Sequence, residues 1–421
     1  MRVCGDSRNR QNDRGQVVVL LALSMTVMLL CLALAVDVGF AYVAKAKLSK
    51  AVDAACLTAM RNLPQGQATA RTLATNSFNV NYAASNIDAS PPSINIAFTT
   101  DGNGQTLVNI TATATLRTFF LRIFPQYTTW RIADSAQATR GKLVMTLVLD
   151  RSGSMTGNGG SAALPPAVTS FVNDFDNTTD EVAMVSFSSN ATINVAINYN
   201  FITPITNAVK VMSFGGGTFG PGGLTYAKSQ NESVPVPQGQ NVVKVAVYFT
   251  DGWVNIIQQT LQCGVSKTSP GTPTLLNFGG YDSGNDVGFF DPTNGNQNCT
   301  YTGSGTPSCC TGVTGFTSAI NGKLESFTRA NVTNDSVYDA IQLANAMRAE
   351  GMYVYAVGLG NDVDQSFLQQ IANDPASSSY NPNQPQGLAV FAPSCPSSQC
   401  TAQLQQVFQT IAAKILLRLT Q

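Results

Sequence analysis

Apolar positions follow three patterns along this chain. Residues 15–36 carry no charge, and VVVLLALSMTVMLLCLALAV within them is a run of 20 mostly apolar residues. A run of that length crosses a bilayer as one helix. Helical spacing continues beyond it: Phe40, Tyr42, Leu48, Val52, Ala55, Cys56, Ala59 and Met60 mark an Ala-rich helix reaching Pro64. Residues 62–90 are rich in Asn, Ala and Ser and predict a helix end and a loop. The second pattern is alternation. SINIAFTT and QTLVNITATATL flank DGNG, which predicts a hairpin, and TTWRIADSAQAT predicts a further strand. The aromatic segment TFFLRIFPQY lies between them, with Phe119, Phe120 and Phe124 expected in a core.

From residue 143 the third pattern sets in, with strands alternating with helices. Apolar strands are predicted near 143–149, 181–188, 242–249 and 352–358. Helices are predicted near 162–176, 222–232, 336–350 and 401–419, and ATINVAI predicts an edge strand in a hairpin. In the last helix Leu404, Val407, Phe408, Ile411, Ile415 and Leu419 form one stripe, which Lys414 and Arg418 mark as core-facing rather than a second span. The pattern predicts an α/β fold: a doubly wound, mostly parallel sheet with helices on both faces. Ligands of such sheets bind at the carboxyl ends of the strands. An insertion at about 253–335, rich in Gly, Asn, Ser, Thr and aromatics, interrupts the alternation. It leaves the ligand-bearing edge and reads either as a disulfide-stapled cap, with Trp253, Phe278, Tyr281, Phe289, Phe290 and Tyr301 as contact surface, or as an inert decorated loop.

Composition narrows the function. Among 421 residues, 44% are hydrophobic and only 11% charged. Lys and Arg total 24 against 24 Asp and Glu, so no polyanionic partner is implied and nucleic acid is not expected. Histidine is absent, which removes Ser-His-Asp and Cys-His catalysis and histidine-bound zinc. Six late cysteines, Cys263, Cys299, Cys309, Cys310, Cys395 and Cys400, read as a disulfide set formed in an oxidising compartment. Sequence does not choose among their pairings, although adjacent Cys309 and Cys310 are expected to take different partners. Arg2, Arg8, Arg10 and Arg14 precede the apolar run, which favours a cytoplasmic N-terminus with the bulk of the chain outside. The run exceeds the usual core of a cleaved leader, so a retained anchor is favoured over a signal peptide.

The densest chemistry lies in LVMTLVLDRSGSM. Asp150, Ser152 and Ser154 follow a strand and turn through Gly153, putting one carboxylate and two hydroxyls on one side of a tight loop. They offer only oxygen, so a bound ion should be hard: Mg²⁺ first, Mn²⁺ or Ca²⁺ next. GGGTFGPGGL then places Thr218 in a glycine-rich loop before a helix, and VVKVAVYFTDG ends a second strand at Asp251. This order of DxSxS, Thr and Asp resembles the metal-ion-dependent adhesion site of von Willebrand factor type A domains. The resemblance implies Asp150, Ser152, Ser154, Thr218 and Asp251 as the metal set. It also implies a protein partner whose acidic side chain completes the coordination. Beyond these ligands no general base stands out, so a metal-dependent hydrolase is the weakest alternative.

RGQ before the apolar run, VDVG after it and LSKAVDAACLTAM beyond resemble TadE/TadG-like proteins of tight-adherence (Flp) pilus assembly. Arg14, Gly15, Asp37, Leu48, Asp53, Ala54 and Ala55 carry the match, over roughly residues 13–140. Gly15 lacks the glutamate five positions on that marks cleaved pseudopilins, since Leu20 stands there. The expected organisation is a cytoplasmic tail (1–16), a transmembrane helix (17–36), a small pilin-like α+β module (37–140) and a von Willebrand factor A-like domain (141–421). The expected role is a single-pass inner-membrane pilus-assembly protein with its bulk periplasmic or extracellular, working with other assembly components. A surface or pilus-tip adhesin is the alternative.

Overall fold

The computed structural model describes residues 12–83, 88–100, 106–238, 240–264, 271–280, 286–393 and 397–419. The chain divides into two compact units, one ending at Thr139 and the other starting at Arg140.

In the first unit a single helix, α1 (Asn12–Arg61), runs for 50 residues. From Gln16 it is long and apolar enough to cross a membrane. Its second half changes character. Leu48, Ala51, Val52, Ala55, Cys56, Ala59 and Met60 are fully buried, at the three- and four-residue spacing of one helix face. That face packs on α2 (Gln67–Asn81) and on an antiparallel sheet of β1 (Asp88–Thr100), β2 (Thr106–Arg117) and β3 (Thr129–Thr139), in sequence order. Along β2, buried Val108, Ile110, Ala112, Ala114 and Leu116 alternate with more exposed neighbours, as period two requires.

Two expectations are corrected here. Residues 67–81 are helix rather than loop. The face of α2 is only Ala70, Ala74 and Phe78, a narrow apolar stripe easily lost among Asn and Thr. Phe119, Phe120 and Phe124 are not core residues, being 40%, 45% and 45% exposed. β2 ends at Arg117, and the chain leaves the sheet through short 3₁₀ turns at Leu121–Ile123 and Pro125–Tyr127 that bury none of their residues.

The second unit is the doubly wound α/β fold. Its elements are β4 (Lys142–Asp150), a one-turn helix α3 (Ser154–Gly157), α4 (Gly160–Val172), β5 (Glu181–Phe187), β6 (Ala191–Asn198), α5 (Ile202–Lys210), α6 (Gly220–Glu232) and β7 (Val242–Thr250). The insertion supplies β8 (Ile256–Cys263), β9 (Thr272–Gly280), β10 (Val287–Phe290), β11 (Gln297–Tyr301), β12 (Gly315–Thr317) and β13 (Leu324–Ser326). The main fold then resumes with α7 (Arg329–Ala349), β14 (Tyr353–Leu359), α8 (Gln365–Ala372), β15 (Ala389–Ala392) and α9 (Ser397–Leu419). The main sheet has the order β15-β14-β7-β4-β5-β6. All neighbours are parallel except β5 and β6, the hairpin expected from ATINVAI.

β4 is buried on both faces. Leu143, Met145, Leu147 and Leu149 face one core with α4 and α9, whereas Val148 joins the opposite core with α6, α7 and α8. This two-sided burial is why the strand reads as a continuous apolar run. Helices α5 and α8 were not predicted. α7 starts earlier than expected, where the Thr328 hydroxyl accepts from the Asn331 N–H as an N-cap.

The insertion is built as an antiparallel sheet, β11-β10-β9-β8, plus the β12–β13 hairpin. Phe278, Phe289, Phe316, Phe327 and Tyr301 pack as its own aromatic core, with ring centroids 5.1–5.9 Å apart. The predicted contact surface is therefore corrected. All four of Phe278, Phe289, Phe290 and Tyr301 are buried: Phe278, Phe289 and Tyr301 lie in the insertion's own core, and Phe290, the next residue along β10, packs into a core of the main sheet. Trp253 is half exposed, and Tyr281 lies outside the described residues. Disulfides join Cys263 to Cys310 and Cys299 to Cys309, so the adjacent cysteines take different partners. Cys400 is also disulfide-bonded, and Cys395 lies outside the described residues.

A buried ion pair fixes the start of this unit. Arg140 donates two bonds to Asp180, at 2.7 and 2.6 Å, and Asp180 also accepts from the N–H groups of Leu143 and Asp176. Both side chains are almost wholly buried. Removing one partner strands the other charge, so Arg140→Ala should destabilise this unit by about 3–5 kcal/mol. Thermal unfolding of the detergent-solubilised chain tests this, and an unchanged midpoint would contradict it.

Candidate metal centre

β4 and β7 run parallel and in register, with Leu149 opposite Phe249, so both strands deliver their last residues to one sheet edge. Asp150 closes β4 and is fully buried. Its Oδ1 accepts from the Ser152 N–H at 2.7 Å, and its Oδ2 accepts from the Thr250 hydroxyl at 2.5 Å. The first bond bends the chain back over the strand end and aligns the two serines: Ser152 Oγ and Ser154 Oγ lie 3.0 Å apart. Ser154 Oγ in turn donates to Asp251 Oδ1 at 2.7 Å, and Asn158 donates to Asp251 Oδ2 at 3.0 Å. A continuous chain of oxygen atoms thus links the carboxylates of two neighbouring strands.

Thr218 reaches the same place from the glycine-rich loop. That loop is laced to the first one, because Gly153 N–H donates to Gly216 O and Gly215 N–H donates to Arg151 O. Gly216 sits at φ +83°, and a Cβ there would come within 2.6 Å of Ser189 Oγ, so only glycine fits. The Asn255 side-chain oxygen accepts from Thr218 N–H, while the Asn255 backbone N–H donates to Thr218 O.

Ser152, Ser154, Thr218 and Asp251 all line one open cavity of about 430 Å³. Asp150 is braced beneath them. Gly280, Phe290, Gly295 and Gln297 of the insertion form part of the wall, and Trp253 stands at the same cavity. The structure therefore gathers all five sequence-predicted site residues. It adds Thr250, Asn158 and Asn255 as braces, which the sequence did not single out. Thr250 could have been found as the polar residue ending an otherwise apolar strand. Asn158 and Asn255 leave no local signal.

The electrostatics point one way. Burial, and secondly the charge of Asp251, push the Asp150 carboxyl up to about 7. Burial also raises Asp251, with Asp362 adding repulsion. Among the described residues neither carboxylate has a Lys or Arg partner within ion-pair distance. Nor do those residues include a cluster of three or more His, Cys, Asp or Glu side chains suited to a metal. What the loops offer instead is two carboxylates with three hydroxyls, an all-oxygen set, which fits a hard divalent cation.

Residues 145–264 match the family model of the von Willebrand factor type A domain, and residues 15–62 match that of putative Flp pilus-assembly TadE/G-like proteins. The chain thus joins a TadE/G-like segment to a von Willebrand factor type A domain. No curated protein matches. Among solved structures, the PilB minor pilin from Streptococcus sanguinis is similar at 16% identity and a TM-score of 0.43, covering 78% of this chain and 79% of that one. The pilus adhesin SpaC from Lactobacillus rhamnosus GG is similar at 14% identity and a TM-score of 0.41, covering 78% of this chain but only 35% of its own. Proximal thread matrix protein 1 from the mussel byssus, with a zinc-occupied MIDAS motif, is similar at 15% identity and a TM-score of 0.36, covering 66% of this chain and 46% of that one.

The raised Asp150 carboxyl sets a pH dependence. Between the unfolded value near 3.8 and the folded value of about 7, the folded chain holds a proton that the unfolded chain releases. This contribution to stability is complete below about 4 and is lost as pH rises through about 7. In chelator the melting temperature should therefore carry an Asp150-dependent rise from pH 7.5 to pH 5, which Asp150→Asn removes. Identical slopes for the two proteins would contradict the shift.

Proposed function

We propose that this chain is a membrane-anchored, extracytoplasmic pilus-assembly protein that grips a protein partner through a divalent cation. The observation that carries the proposal is the convergence of Ser152, Ser154, Thr218 and Asp251 on one cavity, with the buried Asp150 carboxylate hydrogen-bonded to the Ser152 N–H behind them.

Asp150, Ser152, Ser154, Thr218 and Asp251 would hold the ion, with Mg²⁺ the best fit to hard oxygen donors and Mn²⁺ or Ca²⁺ alternatives. When bound, the ion supplies positive charge to which an acidic side chain of the partner can bond. The remaining work falls to the protein. Thr250 and the Ser152 N–H hold the Asp150 carboxylate, Asn158 orients that of Asp251, and Asn255 fixes the loop presenting Thr218. The insertion wall limits which partner surfaces reach the cavity. The absence of histidine argues for binding rather than hydrolysis.

The TadE/G-like segment and the apolar helix support a single-pass membrane protein. The N-terminal arginines favour a cytoplasmic N-terminus, and the disulfides favour an oxidising compartment for the second unit. The inner membrane follows from that orientation. One observation favours the adhesin alternative: the built wall around the cavity suits selective capture of an external ligand.

Magnesium at millimolar concentration should raise the melting temperature of the wild-type chain at pH 7.5 by several degrees, and Asp150→Ala should abolish the rise. An equal rise in both would remove the site assignment. In the native host, Asp150→Ala at normal protein level should reduce surface pili counted by electron microscopy. Normal pili with lost attachment would instead support the adhesin.

A further inference from the structure

Asp37 closes the apolar run of α1, yet its carboxylate does not face water. It is 3% exposed and accepts three backbone bonds: from Phe119 at 2.7 Å, Phe120 at 3.1 Å and Leu121 at 2.7 Å. The 119–127 segment after β2 is thereby pinned against the helix. Phe119 packs its ring 4.8 Å from that of Phe40, one turn beyond Asp37. From this pin the segment runs back along the span, where Phe120, Leu121, Ile123 and Phe124 face Leu29, Leu30, Ala33 and Val36 across an open apolar cleft of about 400 Å³. Leu30 lies seven residues before Asp37, about 10 Å along a helix rising ~1.5 Å per residue.

We propose that this segment enters the membrane leaflet nearest the folded module, as a second hydrophobic contact beside the span, with lipid acyl chains filling the cleft. The proposal rests on reading α1 as membrane-spanning and adds a lipid-binding element to it. Three observations single out lipid as the occupant. The surface is continuous with the span and lies beside residues that would sit in hydrocarbon. Ile123 is 77% exposed, flanked by half-exposed Phe120 and Phe124. Moreover, the backbone N–H groups of residues 119–127, apart from those of Arg122 and Gln126, are bonded within the protein. The 119, 120 and 121 N–H groups go to Asp37, those of Ile123, Phe124 and Tyr127 go to 3₁₀ carbonyls, and Pro125 has none. Around this apolar tip, exposed Tyr127 and Trp130 and the arginines Arg117, Arg122 and Arg131 have the amphipathic character of headgroup-level residues.

The test uses the full chain in phosphatidylcholine–phosphatidylglycerol vesicles containing brominated phosphatidylcholine. In a Trp130→Phe, Trp253→Phe background, Ile123→Trp reports on the segment and Leu23→Trp on the span. Both reporters should be quenched by bromolipid at least twofold and protected from aqueous iodide. Quenching at position 23 with iodide access at position 123 would overturn the inference while leaving the anchor intact. Loss of bromolipid quenching at both positions would overturn the anchor itself. Protection at 123 from both quenchers would mean a protein occupies the cleft, and would equally overturn the lipid assignment. Adding Asp37→Ala should shift position 123 towards iodide and leave position 23 unchanged. No shift would show that Asp37 does not hold the segment in the leaflet.

Discussion

The second unit is organised around one electrostatic constraint: two carboxylates must stay close together at a sheet edge from which water is largely removed. The parallel register of β4 and β7 creates the problem, because strands that end together bring Asp150 and Asp251 together. Much of the surrounding structure answers it. Hydroxyls of Thr250 and Ser154 donate to the carboxylates, and the glycine-rich loop closes over the serines with a backbone no other residue would allow. These bonds lower both carboxyls but do not offset burial, the main reason that both remain raised, to which the charge of Asp251 adds at Asp150. A fold optimised for stability alone would place a lysine or a hydrophobic residue there. Carboxyls raised by burial at a strand end are a feature that recurs at functional sites.

The architecture and the five candidate ligands were legible because each depends on short-range pattern. Buried strands read as apolar runs, and Asp150 and Asp251 stand at or just after the end of such runs. What escaped notice depends on tertiary neighbours. Asn158 acts on Asp251 across 93 positions, and its local context is a glycine-rich turn that could serve many purposes. Helix α2 was hidden by its composition. The aromatic residues misled in opposite directions. Phe278, Phe289, Phe290 and Tyr301 of the insertion, expected at a surface, are buried, whereas Phe119, Phe120 and Phe124, expected in a core, are exposed. Hydrophobicity alone does not say which environment a ring occupies when a membrane is also available as solvent.

The insertion departs from the picture of a loop decorated with disulfides. It carries a sheet and an aromatic core of its own, and the bridges Cys263–Cys310 and Cys299–Cys309 tie that core together. A wall of the cavity therefore comes from a semi-independent body. Its sequence can vary at exposed positions without disturbing the sheet edge that holds the carboxylates, which separates the chemistry of the site from the shape of its entrance.

Helix α1 has a mechanical consequence. The span and the core of the first unit share one uninterrupted helix, with no proline between Asn12 and Arg61 to kink it. At ~1.5 Å per residue it is a rod of about 75 Å. In the membrane-spanning role proposed above, a load applied to the first unit would pass along the rod into the bilayer as tilt or torque.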